Sequence, residues 1–101
     1  AFEGKLGSCH VVDIPFVFGT IEKTGVNWFY GKGADAKVLS EKIMSTWITF
    51  AHNGNPNHKI IPDWPPYDLK KRSTMFIGNE FKVINAPYDK ERAAWDDLLI
   101  F

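Results

Sequence analysis

The clearest periodicity in the chain runs from Asp35 to His52, where Leu39, Ile43, Met44, Trp47, Ile48 and Ala51 recur at the spacing of one α-helical stripe. Lys42, Ser45, Thr46 and Thr49 fall outside that stripe and are expected to face water. Asn53-Gly54 is a C-cap signal and Pro56 forbids continuation, so the main helix is predicted over about 35–52. Ahead of it, Gly4 and Gly7 punctuate a loop that leads to Ser8-Cys9-His10. Val11 to Gly19 is apolar, and its Pro15 fits a helix only in the first turn, where a missing N–H costs nothing. Asp13 is the expected N-cap of this short helix and Gly19 its end. Between the two helices, Gly25, Gly31 and Gly33 surround an aromatic knot, Trp28-Phe29-Tyr30, that is expected to pack onto something. Residues 55–69 hold four of the chain's six prolines and read as an extended surface segment. Residues 74–77 and 81–84 flank Gly78-Asn79-Glu80, which predicts a β-hairpin over about 74–84. After Pro87, Asp89 is placed to cap a last helix over about 89–99, with Arg92, Trp95 and Leu98 spaced by three. By itself the pattern describes an α+β fold of two to three helices and a small hairpin.

Composition narrows the function more than the fold. With 101 residues, 12 Lys+Arg against 12 Asp+Glu and no net charge, the chain is read as one partial domain at most, covering 1–101. It lacks the basic stripe that nucleic-acid or anionic-membrane binding requires. Only Lys70-Lys71-Arg72 clusters, and Asp68 beside it points to a solvated turn. No apolar run is long enough to span a bilayer, so neither nucleic acid nor membrane is an expected partner. The single Cys9 rules out an internal disulfide and a Cys-rich zinc site, and leans weakly to a reducing, cytoplasmic compartment without deciding it. Fifteen per cent of the residues are Phe, Trp or Tyr, and a chain this short hides only about two-thirds of its unfolded surface. An apolar surface meant to be covered by something else is therefore expected.

Among candidate chemical groups, His10 stands out because an imidazole titrates near neutral pH and loops place side chains at sites. A Cys9-His10 thiolate pair is disfavoured because neighbouring side chains diverge. His10, His52 and His58 have no metal-ligand spacing, so no metal and no cofactor are expected. Trp64-Pro65-Pro66-Tyr67 lacks a P-x-x-P repeat and reads as an anchored segment rather than a polyproline ligand. No G-x-S-x-G, phosphate loop or H-E-x-x-H occurs.

Four stretches together resemble the C-terminal part of the type-B carboxylesterase family, the α/β-hydrolases that include para-nitrobenzyl esterases and cholinesterases. Gly7-Ser8-Cys9-His10-Val11-Val12-Asp13-Ile14-Pro15-Phe16-Val17-Phe18-Gly19 is similar to the family's segment around its catalytic histidine. Ala51-His52-Asn53-Gly54-Asn55-Pro56-Asn57, behind the end of the main helix, resembles its G-x-P-N helix exit. Trp64-Pro65-Pro66-Tyr67-Asp68 resembles its W-P-x-Y segment, and Arg92 with Trp95 resembles its closing R-x-x-W helix. The order is the family's own, over positions 4–95.

The resemblance implies an α/β-hydrolase fragment whose catalytic-histidine loop spans 4–19. It makes His10 the general base of a serine esterase acting on a small ester, and Asp13 a supporting acid near it. Asp13 stands where the family more often has Glu, and Val11 is larger than the residue usual after the histidine. The nucleophile elbow, oxyanion-hole glycines and acidic triad member belong to upstream sequence in this family, and none is in these residues. The expectation is thus a carboxylesterase portion that is inactive alone, partnered by the remainder of the chain or by a second copy of itself. The alternative is a free-standing, non-catalytic binding or assembly module derived from such a fragment.

Overall fold

The computed structural model describes residues 4–31, 33–96 and 98. It divides into two compact units, Ala1–Ile61 and Pro62–Phe101, where a single partial domain is expected from length. The division falls in the proline-rich segment, which forms no helix or strand from residue 62 to 72.

In the first unit, α1 (Ile14–Val17) and α2 (Asn27–Tyr30) are single turns, and α3 (Ala34–Asn53) is the one long helix. Pro15 sits in the first turn of α1 and is buried. Asp13 holds the N-cap position, but its side chain makes no capping bond; its backbone carbonyl instead accepts the amides of Phe16 and Val17 at 3.0 and 2.9 Å. The C-terminal end of α1 is a Schellman closure. Thr20 N–H donates to the Pro15 carbonyl at 2.8 Å and Gly19 N–H to that of Phe16 at 3.4 Å, with Gly19 left-handed at φ 62°. Gly19 is also a point of close approach, since a Cβ there would stand 2.6 Å from Met44 Sδ of α3. Ser40 Oγ donates to the Phe16 carbonyl at 2.8 Å and fastens α1 to α3.

The buried face of α3 differs from the one its periodicity suggests. Ser40, Ile43 and Thr46, three residues apart, form the buried stripe, and Thr46 is only 1% exposed. Trp47 and Ile48, expected inside, are 43% and 58% exposed, and Phe50 and Val38 are exposed as well. The reason is what packs against the helix. Ser40 meets the α1 carbonyl and Thr46 meets the loop that follows Gly54, so small hydroxyl side chains with partners take the interior, while Trp47 and Ile48 have only solvent over much of their surface. Ile21 completes this core at 4% exposure. Gly54, left-handed at φ 67°, ends α3 with its N–H on the Phe50 carbonyl at 2.8 Å.

The second unit is built on an antiparallel pair, β1 (Ser73–Phe76) and β2 (Lys82–Asn85), in register Ser73↔Asn85 through Phe76↔Lys82. Both strands lie one residue away from the expected ranges, and residues 77–81 form a longer connection than a tight Gly78-Asn79 turn. Phe81, placed in the second strand by its sequence pattern, is instead buried at the end of that connection, and with Met75 and Ser73 forms the unit's interior. Ser73 Oγ donates to Asn85 Oδ1 across the strands at 2.8 Å. Ahead of β1, Asp68 Oδ1 accepts the amides of Lys70 and Lys71 at 2.8 and 2.6 Å, which makes the basic triplet one arm of a tight Asx turn. The last helix, α4 (Asp89–Ala93), is shorter than the 89–99 of the pattern. Turns follow at 94–96 and at Leu98; residue 97 and residues 99–101 of the expected apolar tail lie outside the described residues. Asp89 is the first residue of α4 rather than its N-cap, which is Tyr88 at φ 57°.

Candidate functional site

His10 occupies the turn that precedes α1 and is solvent-exposed, with no hydrogen bond or ion pair from its ring among the described residues. The turn is set by two backbone bonds of 3.2 Å, Val12 N–H to the Cys9 carbonyl and Ile14 N–H to the Val11 carbonyl. Val11 between them is left-handed at φ 62°. Asp13, three residues on, is also exposed, and no hydrogen bond joins its carboxylate to His10. The two residues singled out from the sequence therefore share one short exposed loop without forming a hydrogen-bonded pair. Because Ser40 bonds α1 to α3 and the Schellman closure fixes the end of α1, the loop is a short arm on an anchored base.

Neither other histidine joins His10. His52 lies exposed in the last turn of α3. His58 is half-buried and meets Thr46 Oγ1 at 2.9 Å through Nε2. Thr46 Oγ1 also lies 2.8 Å from the Lys42 carbonyl, which has no proton to give, so the hydroxyl hydrogen goes there. The hydroxyl then accepts from His58, which assigns the proton to Nε2 of that ring. This clamp holds the exit loop onto α3. Sequence reasoning missed it because Thr46 was assigned to the water-facing side by period alone. Among the described residues, no group of three or more His, Cys, Asp or Glu side chains is placed to hold a metal ion, and no helix is long and apolar enough to cross a membrane.

Three ion pairs among the described residues lie in the second unit. Asp89 Oδ1 accepts from Arg92 Nε at 2.9 Å and from Arg72 Nη1 at 3.3 Å, while Arg92 Nη1 reaches Asp96 Oδ1 at 2.7 Å. The hydrogen bond from Arg92, with the positive charges of Arg92 and Arg72, holds the Asp89 carboxyl below its ordinary range against a smaller opposing effect of desolvation. Arg92 is pushed up in turn by its bonds to Asp89 and Asp96.

Around the His10 unit a large apolar surface is open. Phe18 is 72% and Trp28 69% exposed; Trp28 meets Phe29 edge-on at 5.6 Å, and Phe29 meets Tyr30 at 4.7 Å. Within the knot the neighbouring rings thus meet edge to face.

The sequence pattern described as the carboxylesterase family matches residues 3–95. The chain belongs to the carboxylesterase family. It is 34% identical over 83 residues to para-nitrobenzyl esterase of Bacillus subtilis, a match that covers 82% of this chain and 17% of that protein. It is 42% identical over 60 residues to liver carboxylesterase 1 of Oryctolagus cuniculus, covering 59% of this chain and 10% of that one. Among solved structures, a para-nitrobenzyl esterase superposes with a TM-score of 0.72 at 33% identity over 83% of this chain and 16% of its own. A carboxylesterase of Geobacillus stearothermophilus superposes with a TM-score of 0.77 at 29% identity over 88% of this chain and 19% of its own. The carboxylesterase segment thus has the fold of the corresponding part of α/β-hydrolase esterases, and it spans less than a fifth of each relative's length.

Proposed function

We propose that this chain is the histidine-bearing C-terminal portion of a serine carboxylesterase, with His10 as the general base of ester hydrolysis once the rest of the enzyme is present. The observation that carries the reading is the position of His10: exposed, with no bond from its ring, on a short loop anchored to α3, inside the family match. In the reaction His10 takes the proton of a serine hydroxyl as that oxygen attacks the ester carbonyl. It then gives the proton to the departing alcohol, and the acyl-enzyme is hydrolysed by the same transfer from water. Asp13 acts as a nearby acidic support for the resulting imidazolium. The exposed faces of Trp28, Trp47, Ile48 and Phe50 suit coverage by the remainder of the esterase chain or, in the segment alone, by a second copy.

Three experiments test the reading. The isolated 101 residues hold no G-x-S-x-G, so they should give no burst on para-nitrophenyl esters and no stoichiometric labelling by an organophosphate. In a full-length chain carrying the segment, His10→Ala should lower kcat by several orders of magnitude and His52→Ala should leave it nearly unchanged. Equal effects of the two substitutions would show that His10 is not the base. An intact mass of the native source protein far above 11.5 kDa separates this reading from a free-standing module.

A further inference from the structure

The helix α1 has 4 residues, too short to hold itself in water, so its place depends on what fastens it to α3. Ser40 is one such fastening. Its side chain is 3% exposed, and its Oγ donates to the Phe16 carbonyl at 2.8 Å from 24 residues away. That carbonyl belongs to the last turn of α1, where a helix leaves its oxygens without amides of its own, and it receives besides only the long 3.4 Å bond of Gly19 N–H among the described residues. A buried hydroxyl on it is directional, whereas an apolar side chain would fill the space without choosing an orientation. Backbone bonds carry the placement on towards the histidine. The Asp13 carbonyl accepts the Phe16 and Val17 amides, the Val11 carbonyl that of Ile14, and the Cys9 carbonyl that of Val12, and His10 lies inside this last turn. At about 1.5 Å per helical residue, the stretch from Phe16 back to His10 makes an arm of roughly 9 Å, so a tilt of α1 by about 6° moves its end by about 1 Å.

We propose that Ser40 is a positioning residue for His10: its hydroxyl sets the tilt of α1 on α3, and through it the place of the imidazole at the end of the arm. Thr46, on the same buried stripe of α3, supplies the contrast. Its hydroxyl bonds the Lys42 carbonyl of α3 itself and His58 of the exit loop. Losing either hydroxyl weakens the fold, but the bond of Ser40 lies on the path to His10 and those of Thr46 do not. This inference rests on His10 being the general base.

The test uses the full-length esterase carrying this segment, with kcat, KM and thermal midpoint measured for Ser40→Ala, Ser40→Cys, Thr46→Val and His10→Ala on a para-nitrophenyl ester, at a temperature well below every midpoint. In Ser40→Ala kcat should fall by roughly 10- to 100-fold with KM little changed, since a misplacement on the order of 1 Å costs up to about that much. Ser40→Cys, similar in size but a weaker donor, should fall between Ser40→Ala and wild type. Thr46→Val should lower the midpoint and keep the wild-type kcat. Wild-type kcat in Ser40→Ala beside an inactive His10→Ala overturns the positioning role alone, as does an equal loss of kcat in Ser40→Ala and Thr46→Val, which would report a loosened fold. Should Ser40→Ala fail to fold, Ser40→Cys decides: a reduced kcat at unchanged KM supports the proposal and a wild-type kcat overturns it. Full activity in His10→Ala overturns the general-base reading and this one with it.

Discussion

Replacing Thr46 by Val removes one hydroxyl from the most deeply buried side chain of the segment while keeping its shape. Two bonds are lost. The one to the Lys42 carbonyl matters little, since that oxygen lies within α3 and keeps the amide bond of the helix. The other leaves the Nε2–H of His58 without its acceptor at 2.9 Å. A net hydrogen bond contributes about 0.5–1.5 kcal/mol, and an unpaired buried donor costs about 1–3. His58 is only half-buried, so water can partly replace the hydroxyl, and the expected loss is about 1 kcal/mol. The loss is measured in a full-length esterase carrying the segment, since the isolated residues are expected to associate. Thr46→Val, His58→Ala and the double variant form a cycle, read by thermal or urea unfolding, with hydrogen exchange at the amides of 57–61 reporting local opening. The coupling should be about 0.5–1.5 kcal/mol. A coupling within about 0.3–0.5 kcal/mol of zero, the ordinary error of additivity, would refute the clamp and with it the proton assignment at His58.

Gly19→Ala and Gly54→Ala share a left-handed φ, at 62° and 67°, and both should lose about 1–2 kcal/mol in denaturant melts. Only Gly19 also meets Met44 Sδ, so Met44→Ala should relieve part of the Gly19→Ala loss and none of that at Gly54. Asp89→Asn removes an exposed carboxylate whose folded titration lies below its ordinary value. Its contribution is therefore complete above that ordinary value and disappears as pH falls through the lowered one. The wild-type-minus-variant difference in unfolding midpoint should be small and constant near neutral pH, shrink with added salt, and vanish in strong acid. Purified residues 1–101 should associate or aggregate at micromolar concentration, because Phe18, Trp28, Ile48 and Phe50 are open and the net charge is zero. Light scattering that finds a monodisperse 11.5 kDa species with a cooperative melt would disprove that.

What the amino-acid sequence determined by itself is the local part of this structure. Gly54 after a long periodic run, Gly19 after Ile14-Pro15-Phe16-Val17 and Asp68 before two lysines each close their element through bonds spanning five residues or fewer, so the neighbouring residues are enough to specify them. The family, too, was legible, because four short stretches in order resemble one lineage, and the role proposed for His10 comes from that resemblance rather than from any spacing of its own. The buried face of α3 was not legible. Its period is shared by the apolar stripe and by the Ser40-Ile43-Thr46 row, and which of them goes inside depends on a carbonyl from α1 and a histidine from the exit loop, groups 24 and 12 residues away. Asp13 holds the expected N-cap position but serves through its carbonyl, whereas Asp89, drawn to Arg72 and Arg92, is the first residue of α4 rather than its cap. The left-handed turn at Val11 runs against the residue's own preference, and only bonds on both sides of it, supported by an anchored helix, hold it there.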